Sequence, residues 1–146
     1  MEIKHLTPEY FNGLIKLQEE NEEEFKYFTP HKFNKEVLSI ITGQAKKDVY
    51  YVAVYNGEVV GYVMLRGMDE GYSVPRLGIG IDKHFYGTGL GSLLMSFLET
   101  TARIHGYTKM GLRVYKDNKR AYQFYLKLGY DYAPYDDESV LGIKEL

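Results

Sequence analysis

The sequence predicts one α/β domain in which helices pack on a mixed β-sheet. Three observations lead to this fold class. The chain has 146 residues, of which 45% are hydrophobic, and this suits one domain with a well-formed core. In the first half, an Asn-Gly pair joins two runs of β-branched and aromatic residues. In the second half, such runs alternate with amphipathic helical patterns. No linker or repeat divides the chain, so residues 1–146 are assigned to a single domain.

The first part of the chain predicts a short strand and two helices. A strand is expected over residues 1–5. Thr7-Pro8 then predicts a helix start, because Pro favours the first helical turn, and apolar residues follow at helical spacing. A second helix is expected at about residues 34–43. The first helix ends in closely spaced carboxylates, which are Glu19, Glu20, Glu22, Glu23 and Glu24.

The middle of the chain predicts a β-hairpin. Strands are expected over residues 49–55 and 58–66, on either side of Asn56-Gly57. This dipeptide favours a type I′ turn, because both of its residues tolerate the positive φ angles that the turn requires. The pair is therefore the strongest hairpin signal in the chain.

After a loop at residues 67–71, the sequence predicts an irregular strand over residues 73–81. Pro75 cannot donate a ladder hydrogen bond, and Gly78 and Gly80 are typical of a bulge or of a close approach by another backbone. A long amphipathic helix follows from about Leu90 and ends at Gly106. The remaining predicted elements are a strand at 108–115, a helix at 118–128, and closing strands at 130–135 and 139–146.

The composition excludes several classes of function. The chain has no cysteine, which rules out disulfides, thiolate zinc sites, Cys-ligated iron–sulfur clusters and cysteine nucleophiles. Its net charge is −2, so we expect no nucleic-acid partner. The N-terminal residues lack the pattern of a signal peptide, and no apolar run is long enough to cross a bilayer. We therefore expect a cytoplasmic protein without a membrane partner.

A glycine-rich loop lies between the irregular strand and the long helix. It contains Gly87, Gly89 and Gly91, and backbone N–H groups at such a junction can bind an anion at the positive end of the helix dipole. A tight turn without a ligand would also favour glycine. The spacing matches neither the Walker A loop nor the GxGxxG dinucleotide fingerprint. ATP and NAD are therefore poor candidates for the ligand.

Two linked motifs surround this loop and the helix that follows. The loop has the form Tyr86-x-x-Gly89-x-Gly91, and a second pattern, NxxAxxFYxKxGY, runs from Asn118 to Tyr130. Over residues 77–130 the chain resembles the GNAT superfamily of acyl-CoA-dependent N-acetyltransferases. The resemblance implies a mixed, mostly antiparallel sheet of six or seven strands with about four helices. It also implies that the sheet is splayed between its fourth and fifth strands.

The resemblance implies ligands and residue roles as well. Acetyl-CoA would be the acyl donor and an amine the acceptor, and no metal is expected. Tyr125 would be the catalytic residue, either as a true proton donor to the departing thiolate or through a hydrogen bond alone. Asn118 lies on the same helix face and would contact the coenzyme arm. The residues implied to bind the coenzyme are Ile79, Ile81, Tyr86, Gly87, Thr88, Gly89, Leu90, Gly91, Ser92 and Asn118.

Two positions depart from the family pattern. Tyr86 stands where relatives have Arg or Gln, which removes a side-chain donor but keeps the backbone N–H groups. Arg76 stands where many relatives carry a catalytic Glu, and arginine cannot act as a base. The attacking amine must nevertheless be neutral. Either a carboxylate acting through water or a histidine removes its proton, or the amine itself has a low pKa. The candidate residues are Asp69, Glu70, Glu24, His31 and His84.

The acceptor itself stays open at this stage. Arg76 favours an acceptor with an anionic group, because arginine binds carboxylates and phosphates through paired hydrogen bonds. The glutamate run over residues 19–24 favours a polyamine or a basic peptide instead, although such runs are usually solvated. The two features point to different substrates.

The leading hypothesis is an N-acetyltransferase in which the amine attacks acetyl-CoA directly within a ternary complex. Without a cysteine to hold the acyl group, a covalent relay is not expected. A non-catalytic acyl-CoA-binding or regulatory module is the main alternative, and a general phosphate-binding domain is a third. Another short acyl donor and a homodimer are also compatible with the sequence.

Overall fold

A seven-stranded sheet forms the centre of the computed structural model, which describes residues 1–146. The strands are β1 (Glu2–His5), β2 (Val49–Tyr55), β3 (Glu58–Arg66), β4 (Arg76–Ile81), β5 (Lys109–Tyr115), β6 (Asp131–Pro134) and β7 (Ser139–Glu145). The helices are α1 (Pro8–Glu20), α2 (Lys35–Gln44), α3 (Leu90–Ile104) and α4 (Lys119–Lys127). The predicted elements are present in the predicted order.

The strand order confirms the predicted mixed, mostly antiparallel sheet. Across the sheet the strands follow the order β1-β2-β3-β4-β5-β7-β6. All neighbouring pairs are antiparallel except β4 and β5, which are parallel. Whereas β4 pairs with β3 along its whole length, it pairs with β5 only at Arg76 and Gly111. The two strands then part, and this confirms the splayed sheet.

The predicted hairpin joins β2 to β3. The φ angles of Asn56 and Gly57 are 50° and 77°, both positive as a type I′ turn requires. The register of the two strands places Val52 opposite Tyr62, and both side chains are fully buried. The turn therefore directs the same face of both strands into the core.

Helices cover both faces of the sheet. α3 and α4 pack on one face over a core that includes Leu94, Leu98 and Met110. α1 and α2 pack on the other face through their buried residues Leu14 and Leu38. Because both faces are covered, β3 is buried continuously between its two end residues.

The glycines of β4 allow the segment between α1 and α2 to lie directly on the strand. A Cβ added to Gly80 would lie 2.7 Å from Cζ of Phe25, and one added to Gly78 would lie 2.9 Å from Cε2 of Phe28. Phe25 belongs to a 3₁₀ turn at Glu24–Tyr27 that the sequence does not predict. These glycines provide space for aromatic rings of the same chain.

β4 begins later than the sequence predicts. The prediction spans residues 73–81, but the strand starts at Arg76, because Pro75 has no N–H for a ladder hydrogen bond. The Pro75 carbonyl instead accepts a hydrogen bond from the Gly111 N–H at 2.9 Å. This bond lies at the only point where β4 and β5 meet.

The first two helices begin in different ways. Thr7 precedes α1 but its side chain makes no capping hydrogen bond. The helix start is favoured instead by Pro8 in the first turn. The Asn34 side chain caps α2 by accepting a hydrogen bond from the Val37 N–H at 2.9 Å. None of the helices has both the length and the apolar character needed to cross a membrane.

The packing of Phe25 on β4 predicts that Gly80→Ala destabilises the fold. The new methyl group would press on a ring that is only 4% exposed, and overpacking of this kind costs about 1–3 kcal/mol. Chemical denaturation followed by circular dichroism measures the loss.

Gly43→Ala is the matched control. Gly43 lies in α2, and a Cβ there would meet nothing within 4 Å, so the variant should gain up to about 1 kcal/mol of helix propensity. Equal stability changes in the two variants would contradict the role given to Gly80.

Candidate active site

The parting of β4 and β5 opens a cavity of about 1230 Å³. Its walls are formed by β4, by β5, by α4 and by the loop that precedes α3. The segment between α1 and α2 closes one side. The cavity therefore lies at the junction of the two predicted motifs.

The backbone of β4 is free to bind a ligand along this cavity. The Asp82 N–H bonds to Val60 next to β4 on one side, and the Pro75 carbonyl bonds to Gly111 of β5 on the other. Because backbone groups alternate between the two neighbours of a strand, those of Ile79 and Ile81 point towards β5. The ladder with β5 has already ended there, so these groups face the cavity.

The glycine-rich loop leads into α3, whose N-cap residue Gly89 makes no side-chain capping bond. Gly87 and Gly89 have φ angles of 79° and 90°, which L side chains rarely adopt. The hydrogen bond from the Leu93 N–H to the Gly89 carbonyl opens α3, so the N–H groups of Gly91 and Ser92 have no acceptor within the helix. These groups and the helix dipole make an anion site at the cavity wall.

Two predicted loop residues shape the loop without lining the cavity. The Thr88 hydroxyl donates a hydrogen bond to the Phe85 carbonyl at 2.6 Å and accepts one from the Leu90 N–H at 3.3 Å. The Leu90 side chain is buried in the core under α3. Gly91 lines the cavity, and a Cβ there would lie 3.2 Å from the ring of Phe124, so its absence lets α3 approach α4.

Tyr86 holds an arginine from another element at the start of the loop. The guanidinium carbon of Arg120, in the first turn of α4, lies 3.7 Å from the centroid of the Tyr86 ring. This is a cation–π stack, and both residues line the cavity. A cation is therefore present beside the loop position where relatives have Arg or Gln, although it comes from α4. The sequence analysis missed Arg120.

α4 places Asn118 and Tyr125 on the cavity wall. Asn118 is the N-cap of the helix, and its side-chain carbonyl accepts a hydrogen bond from the Ala121 N–H at 3.4 Å. Its amide N–H groups remain free to donate to a ligand. Tyr125 is 8% exposed and packs against Phe124 and Tyr130.

Burial raises the pKa of Tyr125, because a buried phenolate loses its hydration. The hydroxyl therefore stays protonated well above neutral pH. With ordinary values of about 10 for tyrosine and 8.5 for a thiol, proton transfer to a thiolate is already uphill by about 2 kcal/mol. The raised pKa favours a hydrogen-bond donor over a full proton donor at this position.

The structure separates the candidate acceptor residues into two groups. Arg76, Glu70 and Glu24 line the cavity, whereas Asp69 and His31 do not. The His84 ring is also outside the cavity, 2.8 Å from the Asp82 carboxylate. Placement alone therefore favours the first group for contact with an acceptor.

Asp69 and His31 hold parts of the fold together. The Asp69 carboxylate accepts hydrogen bonds from the N–H groups of three consecutive residues, Lys46, Lys47 and Asp48. These bonds lower its pKa, which makes it a weaker base. The two ring nitrogens of His31 lie 2.8 Å from the Tyr62 hydroxyl and from the Lys32 carbonyl, and burial lowers its pKa.

Glu24 is the one residue of the glutamate run that lines the cavity. Its Oε1 lies 3.6 Å from Lys83 Nζ, while Oε2 is buried without a hydrogen-bond partner. A buried carboxylate oxygen of this kind can accept a hydrogen bond from a ligand. The other glutamates of the run lie outside the cavity.

The cavity is cationic although the chain is acidic. Its charged lining consists of two carboxylates, Glu24 and Glu70, and six cations, which are Arg66, Arg76, Arg113, Lys119, Arg120 and Lys127. The sequence analysis missed Arg66 and Arg113, because only the strand register brings them beside Arg76. Such a cavity attracts anionic ligands.

A sheet that opens beside a glycine-rich helix start can accommodate an extended ligand that carries an anionic group. The chain belongs to the GNAT family of acetyltransferases. The model of this family matches residues 14–130, and the resemblance noted in the sequence is thereby confirmed.

Several known proteins are similar to this chain in sequence or in fold. An acetyltransferase of Pectobacterium atrosepticum is 36% identical over 84 residues, which are 58% of this chain and 58% of that protein. The N-acetylaspartate synthetase of Rattus norvegicus is 30% identical over 63% of this chain and 31% of that protein. The matched part is thus less than two thirds of either relative. The PaiA N-acetyltransferase of Thermoplasma acidophilum, solved in complex with coenzyme A, has a TM-score of 0.79 at 15% identity and covers 99% of this chain and 98% of its own.

The stack of Arg120 on Tyr86 predicts that Arg120→Gln weakens the binding of coenzyme A. A charge-assisted hydrogen bond contributes about 1.5–3 kcal/mol, so the dissociation constant measured by calorimetry should rise about tenfold or more. Tyr86→Phe, which keeps the ring, should bind nearly as well as the wild type. Arg103→Gln is the control, because Arg103 lies exposed on the last turn of α3. If it weakens binding equally, the effect is one of net charge and not of a contact made by Arg120.

The three bonds to Asp69 predict a pH-dependent loss of stability in Asp69→Asn. The folded-state pKa is lowered, so the contribution of Asp69 is complete above its unfolded pKa of about 3.9 and is lost as the pH falls through the folded value. The variant should melt at a lower temperature than the wild type at pH 7, and the gap should close as the pH falls below about 4. A gap independent of pH would contradict the prediction, and Glu22→Gln, at an exposed position, serves as the control.

Proposed function

We propose that the protein is an N-acetyltransferase that transfers an acetyl group from acetyl-CoA to an amine. The observation that carries the proposal is the open edge of β4 beside the glycine-rich loop, in a cavity that Tyr125 also lines. This arrangement suits an acyl donor with phosphates at one end and an amide-bearing arm at the other.

The residues that line the cavity suggest how the donor is held. The N–H groups of Gly91 and Ser92, together with Arg120, bind the diphosphate. The free backbone groups of Ile79 and Ile81 bind the amides of the arm as an added strand would. Asn118 donates from its side-chain amide to the same arm.

The acetyl group then passes directly to the acceptor. The amine nitrogen attacks the thioester carbonyl carbon, a C–N bond forms, the C–S bond breaks, and the electron pair leaves with sulfur. Tyr125 donates a hydrogen bond to the leaving thiolate. The acceptor loses one proton when the ammonium becomes a neutral amine, and its nitrogen loses a second proton after the C–N bond forms. One of these protons neutralises the thiolate to give the free thiol, and the other passes through water to the solvent. The chain has no cysteine, so we expect sequential kinetics without an acyl-enzyme.

The non-catalytic acyl-CoA-binding module remains the second candidate. Arg76 favours it, because a residue that cannot accept a proton occupies the position where many relatives have a catalytic Glu. Glu24 and Glu70 are the two carboxylates in the cavity, and they are the groups that could receive the proton through water. Release of free thiol from acetyl-CoA in the presence of amines separates the two candidates, since a binding module releases none.

The role of Tyr125 predicts that Tyr125→Phe lowers kcat by about 10²-fold, the effect of removing one transition-state hydrogen bond. The affinity for coenzyme A should change less than about twofold, because the ring is kept. Steady-state kinetics and calorimetry measure the two quantities. Tyr107→Phe removes a hydroxyl outside the cavity and should leave kcat unchanged. Equal losses of kcat and affinity in Tyr125→Phe would contradict the proposed role.

A further inference from the structure

Three arginines lie on one face of the sheet where β4 and β5 part. Arg66 of β3 is directly opposite Arg76 of β4, and Arg76 is directly opposite Gly111 of β5. Arg113 is two residues beyond Gly111, so its side chain points to the same face. All three arginines line the cavity.

The pairing of Arg66 with Arg76 is unfavourable without a ligand. Like charges directly opposite each other on antiparallel strands destabilise a sheet. Arg66 is turned aside, because its guanidinium donates a hydrogen bond to the Pro30 carbonyl at 3.0 Å. Arg76 is exposed, and a Cβ on Gly111 would lie 3.7 Å from its Cδ, so its side chain extends over β5. A bound anion would relieve the repulsion.

Arg113 is held in place by partners of its own. Its guanidinium stacks on the rings of Tyr115 and Tyr135, 5.0 and 4.7 Å from their centroids. It also donates hydrogen bonds to Ser139 Oγ and to Asp136 Oδ2, at 2.9 and 2.8 Å. Two of the three arginines thus have partners, which leaves the donors of Arg76 available to a ligand.

The glutamate run does not counter this charge. Glu23 pairs with Lys26 at 2.7 Å and Glu20 with Lys16 at 3.8 Å, and neither lines the cavity. Glu24 pairs with Lys83, which follows the end of β4 opposite to Arg76. Near Arg76, the lining of the cavity contains Glu70 as its single carboxylate, and Asp136, just outside the lining, pairs with Arg113. Arg66 and Arg76 have no carboxylate partner of their own.

We propose that the amine acceptor carries an oxyanion group, a carboxylate or a phosphate, which Arg76 binds through paired hydrogen bonds. This rests on the proposed acetyltransferase function, and it assigns the position where relatives have a catalytic Glu to substrate recognition. Arg66 adds to the positive field, whereas the charge of Arg113 is paired with Asp136, and the cations of α4 are left for the coenzyme.

Matched pairs of amines test the proposal. With saturating acetyl-CoA, aspartate is compared with its diamide, phosphoethanolamine with ethanolamine, and spermidine is included as a polyamine. The wild type should prefer one anionic member over its neutral partner by at least about tenfold in kcat/KM, and the pair that shows the preference distinguishes carboxylate from phosphate. Equal or better use of the neutral amines, or of spermidine, would overturn the proposal.

Arg76→Gln separates recognition from a structural role. It should abolish the preference by raising KM for the anionic amine while KM for acetyl-CoA stays the same, and its melting temperature without ligand should equal or exceed that of the wild type. Arg103→Gln should retain the preference. An equal loss for anionic and neutral amines would show a structural role and overturn the proposal.

A failure of acetyl transfer is distinguishable from a failure of this inference. If no amine in the panel releases thiol from acetyl-CoA, the acetyltransferase proposal fails. Calorimetric titration of aspartate and phosphoethanolamine into protein saturated with coenzyme A then decides the inference. Binding by the wild type that Arg76→Gln weakens at least tenfold supports the anion site, and the absence of binding overturns it.

Discussion

The single ladder pair between β4 and β5 is the constraint on which the rest of the structure depends. The two strands are parallel and meet only at Arg76 and Gly111, so the edge of β4 beyond this point has no partner strand. An unpaired strand edge inside a domain leaves polar backbone groups that need another partner. The cavity, the free groups of Ile79 and Ile81, and the access of α4 to the site all follow from this divergence. A continuous ladder would remove each of them.

Glycine supports the site through two different physical effects. Gly87 and Gly89 adopt positive φ angles, which lets the loop turn and present N–H groups at the start of α3. Gly78 and Gly80 matter because a Cβ would collide with a neighbouring side chain, and Gly91 because a Cβ would crowd the ring of Phe124. The first group shapes the anion site directly, and the second lets α4 and the segment after α1 close around it. Alanine at Gly87 or Gly89 would be strained whatever surrounds it, because the strain comes from the φ angle. Alanine at the other glycines is tolerated to the extent that the neighbouring side chain can move.

The sequence predicted the elements, the hairpin and the family well, because these depend on local patterns. The Asn-Gly turn, the periodicity of α3 and the spacing of the two motifs all act over short distances. Residues that are brought together by strand register were not predicted. Arg66 and Arg113 are far from each other in sequence, and only the pairing of three strands places them on the same face as Arg76. The structural role of Asp69 was also missed, because its partners begin at Lys46 on a loop distant in sequence.

The charge in the cavity also bears on how a neutral amine could form without a catalytic Glu. A nearby cation disfavours the protonated form of an amine and lowers its pKa, whereas a nearby carboxylate raises it. In an acceptor that has its own carboxylate, this carboxylate raises the pKa of the amine. Pairing of the carboxylate with Arg76 would cancel that increase. The arginines beside it would then lower the pKa of the amine further. For the proposed acceptor, the positive charge of the arginines therefore serves both to bind the substrate and to favour the neutral amine. A carboxylate at residue 76 would oppose the binding of an anionic acceptor.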